Sequence, residues 1–332
     1  MPATHVRGVA FVKKEGYSMH DILNLAVVNF APVWGDKAAN RKRICETIEA
    51  AGRQGVQMIV FPETALTGYD IEPEDVPREE RMQRRLAETV PGPTTDAVCA
   101  LTKKYDMYAV FGMAERDPDD PDKVYNAAAV CGPEGVIGVC RKIHLPFAEG
   151  LWADPGEKPF LFDTPWGPVG VGICYDFYCY PEITRYARAM GARLFINCTA
   201  ICTLESPGAG GYLGNLCLRY NVVNNNMFIA TSNLCGRDVT SWFMGGSSII
   251  GPSTTMTHEH YYAGEPFLAE GADESGVRSA VIDLSGTRHS FLDCVWAGGI
   301  GKGDWKPDKY IEWYREAQER NFWGSQDGAN EA

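Results

Sequence analysis

Short apolar runs and amphipathic segments alternate through the first third of the chain, and that alternation confines it to an α/β architecture. "LNLAVVNF" (Leu23–Phe30), "VQMIVFPE" (Val56–Glu63) and "MYAVFGMAE" (Met107–Glu115) are apolar over strand-like lengths. Between them, "KAANRKRICETIEAAGRQG" (Lys37–Gly55) has apolar residues at helical spacing and ends at glycines, and "TTDAVCALTKKYD" (Thr94–Asp106) is a helix opened by a threonine cap. From Tyr125 the pattern turns to hairpins. "YNAAAVCGPEGVIGVCRKIHL" holds two strands joined by "GPEG", and "PFLFDTPWGPVGVGICYD" holds two joined at "PWGP". A helix over Pro181–Ala192, a strand over Arg193–Cys198, a helix over Tyr212–Asn225 and strands at "MFIATSN" and "SSIIGP" follow; Asp308–Asn321 is predicted helical. Helices mixed with hairpins imply a layered α/β domain with mixed sheets. No low-complexity linker or short-period repeat divides the 332 residues, which read as one domain rather than two.

The net charge of −12 argues against a nucleic-acid partner, whose phosphates the chain would repel, and against an anionic membrane surface. No apolar run approaches a transmembrane span. "ILNLAVVNFAPVW" follows Asp21 and is interrupted by Asn24 and Asn29, so it reads as a core strand and not an export signal. Eleven cysteines, an odd number without regular spacing or a Cys-x-x-Cys pair, point to a reducing cytoplasm. The "THEH" at Thr257–His260 places His258 and His260 two apart, which reads as a solvated turn and not a metal site.

Three strand-like runs end on residues with chemistry: Glu63 in "IVFPETALTGYD", Lys142 in "VCRKIHLPFAEG" and Cys174 in "VGICYDF". An open α/β sheet shows its functional edge in this way. Singly, each has a structural reading: an inert buried thiol, a helix-cap neighbour and a solvated strand end. Together they make a nucleophile set. A thiol attacks only as thiolate or as a base takes its proton, and a carboxylate raised by burial is such a base. An ammonium and a backbone N–H, here that of Tyr175, would hold the oxyanion. Rival arrangements are weaker. "GGSSIIGPS" (Gly245–Ser253) lacks a glycine after its serine pair, no Gly-x-Ser-x-Gly elbow is present, and His144 suits a structural role better than a dyad with Cys174. "NCT" (Asn197–Thr199) ends an apolar strand and is discounted as a glycosylation acceptor.

The three blocks, in this order, resemble the nitrilase superfamily of carbon–nitrogen hydrolases from about Leu23 to about Leu284. "FPETALTGY" resembles the general-base block, "YNAAAVCGPEGVIGVCRKIHLP" the lysine block and "GICYDFYCYPE" the nucleophile block. The resemblance implies a four-layer α-β-β-α sandwich over residues 21–300, in a homodimer or higher homo-oligomer. Residues 1–20 read as an N-terminal arm, and the aromatic tail (301–332) fits an arm that wraps a partner subunit, with cover for its own core as the alternative. It implies catalysis by Glu63, Lys142 and Cys174 without metal or cofactor. Glu149, in "EGLWADPG", matches a second active-site glutamate, with Glu157 as its rival. Cys179 falls where the family needs no thiol and is expected to pack. Glu182 and Arg185, in "PEITR", are expected to pair structurally.

The substrate implied is a small-molecule amide, hydrolysed to acid and ammonia through a thioester. An N-carbamoyl compound is the alternative, and a catalytically silent scaffold is the reading from a different class. Nitrilases proper usually have Cys-Trp-Glu at the nucleophile, whereas this chain has Cys174-Tyr175-Asp176. Some relatives acting on carboxylate-bearing substrates carry an arginine just after, where this chain has Phe177 and Tyr178. An uncharged or aromatic amide is therefore favoured, with Tyr69, Phe147, Trp152, Phe177 and Tyr178 as candidate pocket residues, and Arg219 or Arg237 as the remaining candidates for a carboxylate.

Overall fold

The computed structural model describes residues 19–203, 209–253, 259–287 and 306–321. The expected arm up to residue 18, and His258, lie outside them. The chain forms two compact units, Met1–Thr287 and Arg288–Ala332.

The first unit opens with β1 (Ile22–Asn29), α1 (Lys37–Arg53), β2 (Met58–Val60), α2 (Met82–Leu86), α3 (Pro93–Tyr105) and β3 (Tyr108–Arg116). The predicted hairpins are β4 (Val124–Gly132) with β5 (Gly135–Arg141), and β6 (Phe160–Thr164) with β7 (Gly167–Ile173). Then come α4 (Tyr175–Cys179), α5 (Pro181–Ala189), β8 (Leu194–Thr199), β9 (Cys202–Thr203), α6 (Ala209–Asn225) and β10 (Phe228–Asn233). The unit closes with β11 (Cys235–Arg237), β12 (Trp242–Met244), β13 (Ser248–Pro252), β14 (Glu259–Ala263) and β15 (Gly276–Asp283). His260, expected in a turn, lies in β14 with its ring edge-on to Tyr262 at 4.8 Å. The second unit contains α7 (Pro307–Arg320), which exposes Ile311, Trp313 and Tyr314. Among the described residues no helix is long and apolar enough to cross a membrane.

Two six-stranded sheets carry the architecture, in the orders β15-β1-β2-β3-β4-β5 and β14-β13-β10-β8-β7-β6. Each has a parallel centre (β1, β2 and β3; β7, β8 and β10) with antiparallel strands at its flanks. Parallel strands are buried on both faces, which is why their sequences are near-continuous apolar runs. Leu25, Val27 and Val60 of one sheet pack with Val171, Ile173 and Ile196 of the other in a shared core. The opposite face of the first sheet, with Ala26 and Ile59, packs on Ile44 and Ile48 of α1 and Val98 of α3. That of the second sheet, with Phe195 and Ile229, packs on Ile183 of α5 and on Leu218 and Val222 of α6. The result is the expected four-layer sandwich.

The outward side of α6 breaks the usual rule for an exposed helix. Tyr212, Leu213, Leu216, Tyr220 and Val223 are all exposed. The one charged residue on the helix, Arg219, is paired with Glu259.

Candidate active site

The ends of β2, β5 and β7 bring the predicted residues together. Beyond β2 the chain passes Pro62, which has no N–H to extend the strand, and turns at Glu63. Gly112 on β3 permits this turn: a Cβ there would stand 2.4 Å from the Pro62 carbonyl oxygen and 2.6 Å from Glu63 Cα. Lys142 directly follows β5, and Glu149 sits in a 3₁₀ turn at Phe147–Leu151. Cys174 links β7 to α4 with a positive φ of 47° and ψ −101°, a conformation L residues rarely adopt. Thr64 (φ 47°) and Phe147 (φ 49°) also have positive φ, each within two residues of a site glutamate. Such backbone costs roughly 1–3 kcal/mol per residue and persists only where surrounding structure enforces it.

Glu63, Lys142 and Glu149 are fully buried. Lys142 Nζ donates to Glu63 Oε1 at 2.7 Å and to Glu149 Oε1 at 2.6 Å. The Tyr69 hydroxyl donates to Glu149 Oε1 at 2.8 Å. Asn126, on β4, donates through Nδ2 to Glu63 Oε1 at 2.8 Å and to Glu149 Oε2 at 3.1 Å. One carboxylate oxygen of the cluster, Glu63 Oε2, is buried with no hydrogen-bond partner.

Burial raises the Glu63 carboxyl to about 6, with Lys142 opposing the rise and Glu149 adding to it. Burial works against the Lys142 ammonium, yet Glu63 and Glu149 outweigh it and hold the group above the usual lysine range. The half-buried Cys174 thiol is pushed well above its ordinary value by desolvation and by Glu63, against the pull of Lys142. The sulfur therefore rests as a thiol, beside a carboxylate whose own value suits proton uptake near neutrality.

The thiol turn is fastened from β8. The Cys174 N–H is shared between the Cys198 carbonyl at 2.9 Å and Asn197 Oδ1 at 3.2 Å. Asn197 Nδ2 donates to the Tyr178 hydroxyl and to Thr231 Oγ1, both at 3.1 Å. This buried, committed amide is no glycosylation acceptor. The Asp176 carboxylate accepts the N–H groups of Ile143 and His144, each at 2.9 Å, and so ties the thiol turn to the segment after Lys142. His144 Nδ1 lies 2.8 Å from Asp176, and its ring stacks on Tyr180 at 3.4 Å, a structural placement. Tyr175 opens α4, where a helix leaves N–H groups without intrahelical partners.

Glu63, Lys142, Glu149, Cys174, Tyr69 and Tyr178 thus converge, both phenols lying close enough to feel charge on the Cys174 sulfur. Three expected pocket residues do not join them. Phe147 is 99% exposed and points to solvent. Phe177 is buried in the core beneath the second sheet, against Phe195 and Ile183, because it falls on the inward side of α4. Trp152 is buried with Ala114, Val124 and Ala153 in a satellite core. Cys179, expected to pack, is exposed. Arg219 is engaged by Glu259, and Arg237 is exposed on β11. Sequence reasoning passed over Asn126 and Asn197. Their signal was available, since a lone amide inside "YNAAAV" or "RLFINC" must find partners once buried.

Comparison with known proteins agrees with this construction. The carbon-nitrogen hydrolase family profile matches residues 24–287. A nitrilase of Pyrococcus abyssi is 31% identical over 265 residues, covering 79% of this chain and 90% of its own length. The omega-amidase NIT2 of Xenopus tropicalis is 30% identical over 273 residues, covering 78% and 88%. Among solved structures, Saccharomyces cerevisiae Nit3 superposes with TM-score 0.67 at 24% identity over 83% of this chain and 95% of that one. An amidase from Nesterenkonia sp. AN1, carrying an acetamide moiety on its active-site cysteine, gives 0.63 at 21% identity over 82% and 96%. The chain belongs to the carbon-nitrogen hydrolase family, in the nitrilase superfamily. It is a hydrolase of carbon–nitrogen bonds.

Proposed function

We propose that this hydrolase cleaves a small non-peptide amide to a carboxylic acid and ammonia through a thioester on Cys174. The observation that carries the reading is the open Glu63 Oε2, the one unengaged carboxylate oxygen of the buried cluster. In the first half-reaction Cys174 Sγ bonds to the amide carbon while its proton passes to Glu63. Lys142 and the Tyr175 N–H stabilise the oxyanion. Collapse breaks the C–N bond, Glu63 returns the proton to the nitrogen, and ammonia leaves. In the second half-reaction water adds to the thioester as Glu63 takes its proton; the C–S bond breaks, the thiol is restored and the acid departs.

Tyr69 and Tyr178 supply uncharged pocket walls beside the thiol, which supports an uncharged or aromatic amide. Similarity to omega-amidases supports an amide; a relative of like identity is named a nitrilase, and Cys174-Tyr175-Asp176 in place of Cys-Trp-Glu is what favours the amide. An N-carbamoyl substrate would use the same groups and release carbon dioxide with the ammonia. The same reading takes a second copy of the chain as partner, supported by the outward face of α6. In a chain of net charge −12, that nearly uncharged apolar surface is where a copy meets least repulsion. A cytoplasmic setting is supported by the described cysteines, which are all free thiols.

The test is a panel of primary amides and N-carbamoyl amines assayed for ammonia and carbon dioxide, with acyl adducts sought by mass spectrometry. Ammonia alone, an adduct on Cys174 and loss of about 10⁴-fold or more in Cys174→Ala are expected. Undiminished turnover in that variant would sink the mechanism. No turnover of any panel member, with Cys174 alkylated no faster than the other cysteines, would favour the silent scaffold.

A further inference from the structure

Asn126 is fully buried on β4, and its single amide group spans the two site carboxylates. Only its nitrogen end can face them, because an amide oxygen there would oppose two carboxylate oxygens. Its donation leaves the carboxylates unequal. Glu149 receives three donors, from Tyr69, Lys142 and Asn126, spread over both of its oxygens. Glu63 receives two, both on Oε1, so that Oε2 stays open.

We infer that Asn126 is a positioning residue: by tying Glu63 Oε1 to Glu149 Oε2 it fixes which carboxylate, and which oxygen of it, meets the thiol proton. The inference rests on the proposed role of Glu63 as base. Donation to the ionised form also favours that form, so Asn126 and Lys142 together restrain the rise that burial imposes on Glu63. The other groups facing Glu63 are Glu149, the Cys174 thiol, the Tyr69 phenol and the thiols of Cys198 and Cys202. Among these neighbours Asn126 is the neutral amide donor, and its removal leaves every formal charge in place.

The test is the pH dependence of Cys174 alkylation by iodoacetamide, followed at that residue by mass spectrometry, which requires no substrate. In the wild type the rate should climb through an acidic limb as Glu63 ionises. In Asn126→Leu, similar in volume but without a donor, the limb should move about one pH unit or more toward alkaline, with thermal unfolding showing a folded protein. Asn126→Ser, which keeps one hydroxyl donor, should shift it less, and stands in if the leucine variant fails to fold. A folded variant of either kind with an unmoved limb overturns the inference, since a purely structural residue would change stability or rate without moving a titration. Glu63→Gln is the control: if its limb persists, the assignment of Glu63 as base fails, which is a different result from an unmoved limb in the Asn126 variants.

Discussion

Two regions invert the ordinary placement of side chains, in opposite senses. At the site, two carboxylates and an ammonium are wholly removed from water. On α6, five large apolar side chains are left in it. The first inversion survives because every charge has a partner: Lys142 lies between Glu63 and Glu149, and Asn126 and Tyr69 occupy further acceptor positions. The second has no such internal compensation within the described unit, since the inward side of α6 is already filled by Leu218 and Val222. A buried charge cluster is explained by what it does to a substrate, and an exposed apolar face by what would cover it.

The sharpest way to break this comparison is Lys142→Met, which keeps volume and removes the positive charge. Two buried carboxylates are then left facing each other. Stability should fall by about 3–5 kcal/mol and turnover by about 10³-fold, read by denaturant unfolding and steady-state kinetics. A variant as stable as the parent would show that the cluster carries no unpaired charge once the ammonium is gone.

A smaller effect should appear on titration. With Glu63 at about 6, kcat/KM should fall about tenfold per pH unit below that value, because protonation removes the base. The stability sign is opposite. The Glu63 carboxyl lies above its ordinary value of 4.5 in the folded state, so its own contribution to stability is fully present below about 4.5 and is lost as pH rises through about 6. Activity and stability should therefore diverge across that window; a flat kcat/KM there would remove Glu63 as the base.

The smallest effect on turnover belongs to α6. Leu216→Glu places a charge on the exposed apolar face of α6 and leaves every group of the proposed mechanism in place. A dimer should weaken by about tenfold or more, read by sedimentation, while kcat per chain stays within about twofold. A parent protein that sediments as a monomer would leave that face without the occupant proposed for it.

Much of the fold was legible because its signals are local. The hairpin turns at "GPEG" and "PWGP" and the buried runs of β1, β3, β8 and β10 fall within a residue or two of expectation. The small sheet β11-β12-β9 and the edge strands β14 and β15 were not anticipated. Their residues alternate weakly, and pairing with distant partners, such as Ile22 with Asp283, defines them. At the site, Glu63, Lys142 and Cys174 were readable from strand ends and motif order, and Glu149 only through the family resemblance. Of the expected aromatic residues, Tyr69 and Tyr178 reach the cluster, whereas Phe147, Trp152 and Phe177 do not. Whether Phe147, Trp152 or Phe177 faces a cleft, a core or solvent depends on turns whose direction is set by tertiary contacts, such as Asp176 gripping the segment after Lys142.

The exposed thiol of Cys179 stands five positions from Cys174, the proposed nucleophile, and tryptic digestion does not separate the two. No cleavable lysine or arginine lies between Lys142 and Arg185, because Lys158 is followed by proline. Both sulfurs therefore travel in one peptide, 143–185. Intact-peptide masses would merge a surface adduct with an active-site one, and fragment ions that break the backbone between Tyr175 and Tyr178 are what separate them.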